Sequence, residues 1–156
     1  MSGEKMNEKF TAFCGLCCVD CIPSNRDFFT LIQNLEAMIS DLEFDEYAKL
    51  KAKKNPIFEE YPTFIQLLRE IESLKCSVPC RAGGGKPECE VRNCVQGKSH
   101  LGCWECIDRH ACTKLNSLRL IHPNLDYHLD LIGKYGPDNW FSKRKAHYRW
   151  QNDDSK

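Results

Sequence analysis

Residues 14–21 read CGLCCVDC, and residues 76–112 read CSVPCRAGGGKPECEVRNCVQGKSHLGCWECIDRHAC. These two stretches hold all eleven cysteines of a 156-residue chain. Between them lie residues 22–75, and after Cys112 lie 44 more, with no cysteine in either. The sequence therefore reads as one domain in four parts. These are a knot at 14–21, a helical spacer at 25–75, a cysteine-rich lobe at 76–112 and a helical tail at 113–151. The expected fold is mainly α with an irregular, metal-binding, cysteine-rich lobe.

Clustered thiols point either to disulfides or to metal. A disulfide framework needs an oxidising compartment, normally reached through a secretory signal. The start, MSGEKMNEKFTAFCGL, is broken by Glu4, Lys5, Glu8 and Lys9 and has no apolar run of the kind a signal needs. No later stretch is apolar enough for a transmembrane helix. The expected location is cytoplasmic, and there clustered reduced thiols are metal ligands. An odd count of eleven also fits complete pairing poorly.

Zinc takes four tetrahedral ligands, and thiolates two to four residues apart let one turn present two sulfurs to one ion. Cys103-x2-Cys106 has the commonest form of that unit. Cys89-x4-Cys94 and Cys76-x3-Cys80 are looser versions, and Cys14, Cys18 and Cys21 can offer three sulfurs from one loop. With Cys112, these ten are the candidate metal ligands, enough for two zinc ions. One partition joins Cys89 and Cys94 to Cys103 and Cys106 and leaves the knot to recruit Cys80 or Cys112. Cys17 is the spare, because neighbouring cysteines rarely share a tetrahedral ion; it is either a small buried residue or a redox-sensitive thiol. His100 and His110 lie in the same region and could replace a sulfur.

An iron–sulfur cluster is the competing cofactor. C-x3-C-x2-C in the knot looks like the cluster motif of radical SAM enzymes, but the chain is too short and too helical for their barrel. The ferredoxin run C-x2-C-x2-C-x3-C-P is absent. Spacing favours zinc, with an iron–sulfur redox or electron-transfer protein as the alternative.

Other motifs fail on inspection. RAGGGK at 81–86 has Cys80 where a phosphate loop needs glycine, and Pro87 where it needs Ser or Thr; its glycines suit a tight turn. His110 and Cys112 are too close in sequence for a catalytic pair. No carboxylate pair or Ser/His/Asp set survives, so the expectation is a non-enzymatic interaction or regulatory module with an unidentified protein partner. Lys plus Arg and Asp plus Glu both number 22, which argues against a membrane-surface role and against nucleic acid. The tail WFSKRKAHYRW mixes Lys143, Arg144, Lys145 and Arg149 with aromatics, a combination that can bind nucleic acid; a solvated face over a packed one is the commoner use, and nucleic-acid binding ranks last.

Helical periodicity organises the rest. Phe28, Leu31, Ile32, Leu35, Met38 and Ile39 recur at three and four residues behind a Ser24 or Asn25 cap. A short helix is predicted from about Asp45 to Asn55–Pro56, and a third from Pro62 or Thr63, with Phe64, Leu67, Leu68, Ile71 and Leu74 on one face. These stripes read as core. Residues 76–112 show no apolar period and are expected to form turns and a short β-ribbon. In the tail, Pro123–Tyr135 is predicted helical, Gly136–Pro137 ends it, and a second helix to Gln151 completes a hairpin before a frayed QNDDSK. His122, His128 and His147 read as surface or core residues.

The ordered string CGLCC..C, C..PCRAGGGKPECEVRNC and GCWEC.....C, then a helical hairpin ending G..NW, resembles a prokaryotic cysteine-rich family. It is catalogued as domain of unknown function three-seven-nine-five. The resemblance runs from Cys14 to about Trp150. It implies that Cys14, Cys18, Cys21, Cys80, Cys89, Cys94, Cys103, Cys106 and Cys112 are motif cysteines, with Cys76 among them, that Cys17 is spare, and that metal, taken as zinc, is bound. Lys86 stands where the family often has a further cysteine, so a third site is not expected. The resemblance implies no activity.

Overall fold

The structure, a computed structural model, describes residues 4–152, with side chains described from Asn7 to Gln151. The chain is mainly α-helical, with seven α-helices among the described residues joined by short 3-10 turns and loops. They are α1 (Glu4–Phe10), α2 (Arg26–Asp41), α3 (Phe44–Ala52), α4 (Tyr61–Ser73), α5 (Glu90–Gly97), α6 (Asn116–Ile121) and α7 (Leu125–Tyr135). Among the described residues there is no β-strand; Thr11 and Cys17 form one isolated antiparallel bridge. No described helix is long and apolar enough to cross a membrane. Contacts divide the chain into two compact units, residues 25–75 and the segments before and after them.

The 25–75 unit begins as its sequence predicts. The Asn25 side chain accepts the Phe28 backbone N–H at 3.0 Å and caps α2. Asn55 accepts from Ile57, and Pro56 opens a 3-10 turn that leads into α4, where Pro62 lies in the first turn. Gln33 donates to Glu72 at 2.6 Å and Arg69 pairs with Glu36 at 3.6 Å. A later position on α2 thus meets an earlier one on α4, so the two helices run antiparallel. The stripes read as core do not all reach one. Phe29, Ile32, Ala48 and Leu68 are buried, whereas Leu31, Leu35, Met38, Leu42, Phe64, Leu67 and Leu74 stay exposed. Three short helices enclose only a narrow seam, so each can hide one edge of its apolar stripe.

The other unit holds the main core, centred on Leu115, Leu125, Leu129, Ile132 and Trp140. The Trp140 indole N–H donates to the Thr11 hydroxyl at 2.8 Å, and that hydroxyl donates to the Asn7 carbonyl at 2.9 Å. α7 ends at Tyr135, and Gly136 follows at φ 80° and ψ 162°, an extended positive-φ conformation that glycine adopts readily and that ends the helix. The second arm of the expected hairpin is not an α-helix. Residues 137–152 instead form turns, with 3-10 segments at Phe141–Lys143 and Arg149–Asn152, and Trp140, His147 and Tyr148 are buried. Of the frayed tail expected, residues 153–156 lie outside the described residues.

The 76–112 segment departs from its reading in two ways. It contains α5 instead of a β-ribbon, and it contributes to the core through Val91, Val95, Cys103 and Trp104. Val91 and Val95 lie one turn apart, too short a repeat to register as a period.

Candidate metal centre

Backbone contacts bring the two cysteine stretches together. The Cys103 N–H donates to the Phe13 carbonyl at 2.8 Å, and the Cys76 N–H to the Pro23 carbonyl at 2.7 Å. Arg81 donates to the Thr11 and Leu101 carbonyls, both at 2.8 Å, with its guanidinium over the Phe13 and Trp104 rings. Gly102 is required beside it, since a Cβ there would fall 2.0 Å from the Trp104 ring.

All eleven cysteines are free thiols. Cys94, Cys103, Cys106 and Cys112 line one cavity of about 410 Å³, with Lys98 and His100 on its wall. Burial pushes the Cys103 thiol up to about 12, and charge on Cys112, Cys106, Cys94 and Cys89 pushes the same way. Lys98 Nζ stands 3.6 Å from Cys106 Sγ. Cys14 is raised by burial and then by its neighbours Cys80, Cys103 and Cys89, with Leu16 N–H opposing. Cys18, raised to about 11 by burial, is hydrogen-bonded by the Cys80 backbone and has Cys80, Cys21 and Cys76 as charged neighbours. Cys21 is raised by burial and accepts the Tyr148 hydroxyl at 3.5 Å.

The thiols thus form a continuous field in which Cys103 borders both the knot and the cavity. Among the described residues, no three His, Cys, Asp or Glu side chains converge tightly enough to hold a metal ion. The donor chemistry nonetheless fits a soft cation. Burial and the neighbouring thiols disfavour the thiolates of Cys14, Cys18 and Cys103, and a bound cation would offset both.

Cys17 stands apart. It is 0% exposed, packs in the core, and is raised to about 12 by burial and then by Asp20. His110 is drawn away from the thiols by Asp130, at 3.1 Å.

Three arginines that sequence reading did not assign to the site hold its loops. Arg92 donates to the carbonyls of Cys80, Gly84, Lys86 and Pro87. Arg119 forks Asp126 at 2.9 and 3.0 Å and also donates to the Cys112, Arg109 and His110 carbonyls. Arg81 has been described above. A carbonyl-binding arginine leaves no signal in sequence beyond its nearness to glycine-rich turns.

Three of the four tail cations, Lys143, Arg144 and Lys145, are engaged within the fold. Arg144 forks Asp20 at 2.5 and 2.8 Å, while Lys143 and Lys145 lie over the Tyr135 and Tyr127 rings. His122, His128 and His147 are buried, which selects the core reading for all three.

The family described as Protein of unknown function (DUF3795) matches residues 10–117, more than two thirds of the chain. The chain belongs to this family. The match covers the knot, the spacer, the whole 76–112 segment and the start of the tail. Neither the curated proteins searched nor the solved structures return a match.

Proposed function

We propose that this member of the family is a zinc protein in which the metal is structural, serving as an interaction or regulatory module of the cytoplasm. The observation that carries the reading is the cavity lined by Cys94, Cys103, Cys106 and Cys112. Four soft donors face one space from α5, from the GCWEC turn and from the turn before α6. A tetrahedral zinc site takes such a set, after side-chain rotations that draw the sulfurs inward. On this reading Cys112, which lines the cavity, joins Cys94, Cys103 and Cys106 in place of Cys89, which does not. Cys14, Cys80 and Cys89, with Cys18, would supply the second ion. Lys98 supplies positive charge beside a tetrathiolate centre that would carry excess negative charge.

Metal analysis of protein purified without oxygen, with a visible spectrum, tests this reading. A colourless preparation containing zinc is expected. A brown preparation containing iron and sulfide would replace zinc by the iron–sulfur alternative, because the two cofactors draw on the same thiols.

A further inference from the structure

We infer that the 25–75 unit carries a docking face for a basic amphipathic helix. The inference is independent of the metal reading, because no cysteine lies in the unit.

On α2, the exposed residues Leu31, Leu35, Met38 and Leu42 follow steps of four, three and four. On α4 and its C-cap, Phe64, Leu67 and Leu74 are separated by three and seven residues, on the same helical face. In the antiparallel pair set by Gln33–Glu72 and Glu36–Arg69, helical phase puts both stripes on the face opposite those polar links. Met38 is 61% and Leu67 57% exposed, near the middle of the face. A cavity of about 610 Å³ opens at one end, between Leu42, Phe44, Ile57 and Phe64, and Glu60 is the only charged residue among those lining it. Contiguous exposed apolar surface of this kind marks an interaction site.

Charge identifies the occupant. The unit has ten carboxylates against seven Lys and Arg residues. Glu36, Asp45 and Glu46 are already paired, with Arg69 and Lys49. By helical phase Asp27 and Asp41 flank the α2 stripe and Glu70 flanks that of α4, and Glu60 lines the cavity. Among the described residues none of these four is in a salt bridge. An apolar groove with an unpaired acidic rim repels a second copy of itself and fits a helix with an apolar stripe and lysine or arginine flanks. Leu31 to Leu42 spans about 16 Å, the length of about three helical turns.

The test is fluorescence anisotropy of the full chain with a labelled leucine–lysine amphipathic helix of about 14 residues. The comparison peptides are its leucine–glutamate counterpart and a scrambled leucine–lysine sequence of equal charge. Saturable binding of the amphipathic basic peptide alone is expected. The Met38→Gln/Leu67→Gln variant should weaken it about tenfold or more, and Asp41→Asn/Glu60→Gln about threefold to tenfold with a flatter salt dependence. Both variants change exposed side chains, and unchanged circular dichroism verifies their folding. Equal binding of the scrambled or acidic peptide, or an unaffected Met38→Gln/Leu67→Gln variant, overturns the inference. So does a dimer in light scattering that Met38→Gln/Leu67→Gln dissociates, since a second copy would then cover the face.

Discussion

The Arg92 guanidinium donates to the Gly84 carbonyl at 3.0 Å, and the glycine-rich turn is wrapped around that side chain. Arg92 is 8% exposed, and its described partners are backbone carbonyls between Cys80 and Pro87. The turn that sequence compares with a phosphate loop is an arginine cradle instead. It sets the spacing between Cys80 and Cys89.

Removing that anchor should be costly. Arg92→Met leaves four partly buried carbonyls without this donor, at roughly 1 kcal/mol each. A loss of about 2 to 4 kcal/mol in denaturant unfolding is expected, with faster trypsin cleavage after Arg81. Wild-type stability in Arg92→Met would show that the cradle is incidental.

Glycines at two positions should respond in opposite directions. A Cβ on Gly84 would lie 1.7 Å from the Val78 carbonyl oxygen and 2.9 Å from Cys76 Sγ. Gly84→Ala should therefore shift backbone and lose about 2 kcal/mol or more. At Gly133, within α7, the nearest atom to such a Cβ is 3.8 Å away. Gly133→Ala should gain about 0.5 to 1 kcal/mol from helix propensity, read as a higher melting temperature.

Acid should unfold the chain through its buried histidines. Burial holds His147 down at about 4, with charge on His122 adding to the effect, and burial likewise holds His128 at about 4. Among the described residues, both ring nitrogens of His147, and Nδ1 of His128, have no hydrogen-bond partner. The unfolded chain takes up these protons near pH 6.5, well before the folded chain does. Stability is thus fully present above about pH 6.5 and falls as pH drops towards 4, by on the order of 3 kcal/mol per histidine. His147→Phe removes two orphaned polar atoms and one such proton. It should match or exceed wild-type stability at pH 7.5 and flatten the decline between pH 6.5 and 4 in thermal melts. An unchanged pH slope would count against His147.

Zinc removal should open one part of the chain selectively. Chelation is expected to expose the bonds after Arg81, Arg92 and Lys98 to trypsin while most helical circular dichroism persists, because α2 to α4 contain no thiol. A chelated protein that stays protease-resistant throughout would argue against a structural metal.

Local chemistry made much of the fold legible in sequence. Asn25 and Pro62 mark helix starts, and Gly136 marks a stop, because capping and proline geometry act within a few residues. α5 was hidden because Val91 and Val95 are a single pair set among cysteines that obscure any period. The stripes of α2 and α4 were legible as stripes, but periodicity records only that a helix is amphipathic, not whether enough chain exists to cover it. For the site, spacing picked out the Cys103–Cys106 pair. It could not choose between Cys89 and Cys112 beside Cys94, because that choice depends on where α5 and the turn before α6 pack. The arginine anchors were equally hidden, since a carbonyl acceptor has no residue type.

Zinc counted per chain in wild type, Cys106→Ser and Cys17→Ser, all purified without oxygen, tests the metal reading at its root. About two ions are expected in wild type, about one in Cys106→Ser, and about two in Cys17→Ser, whose replaced thiol lies in the core away from the cavity. Wild type without metal, or a Cys17→Ser variant that loses zinc while Cys106→Ser keeps it, would contradict the assignment.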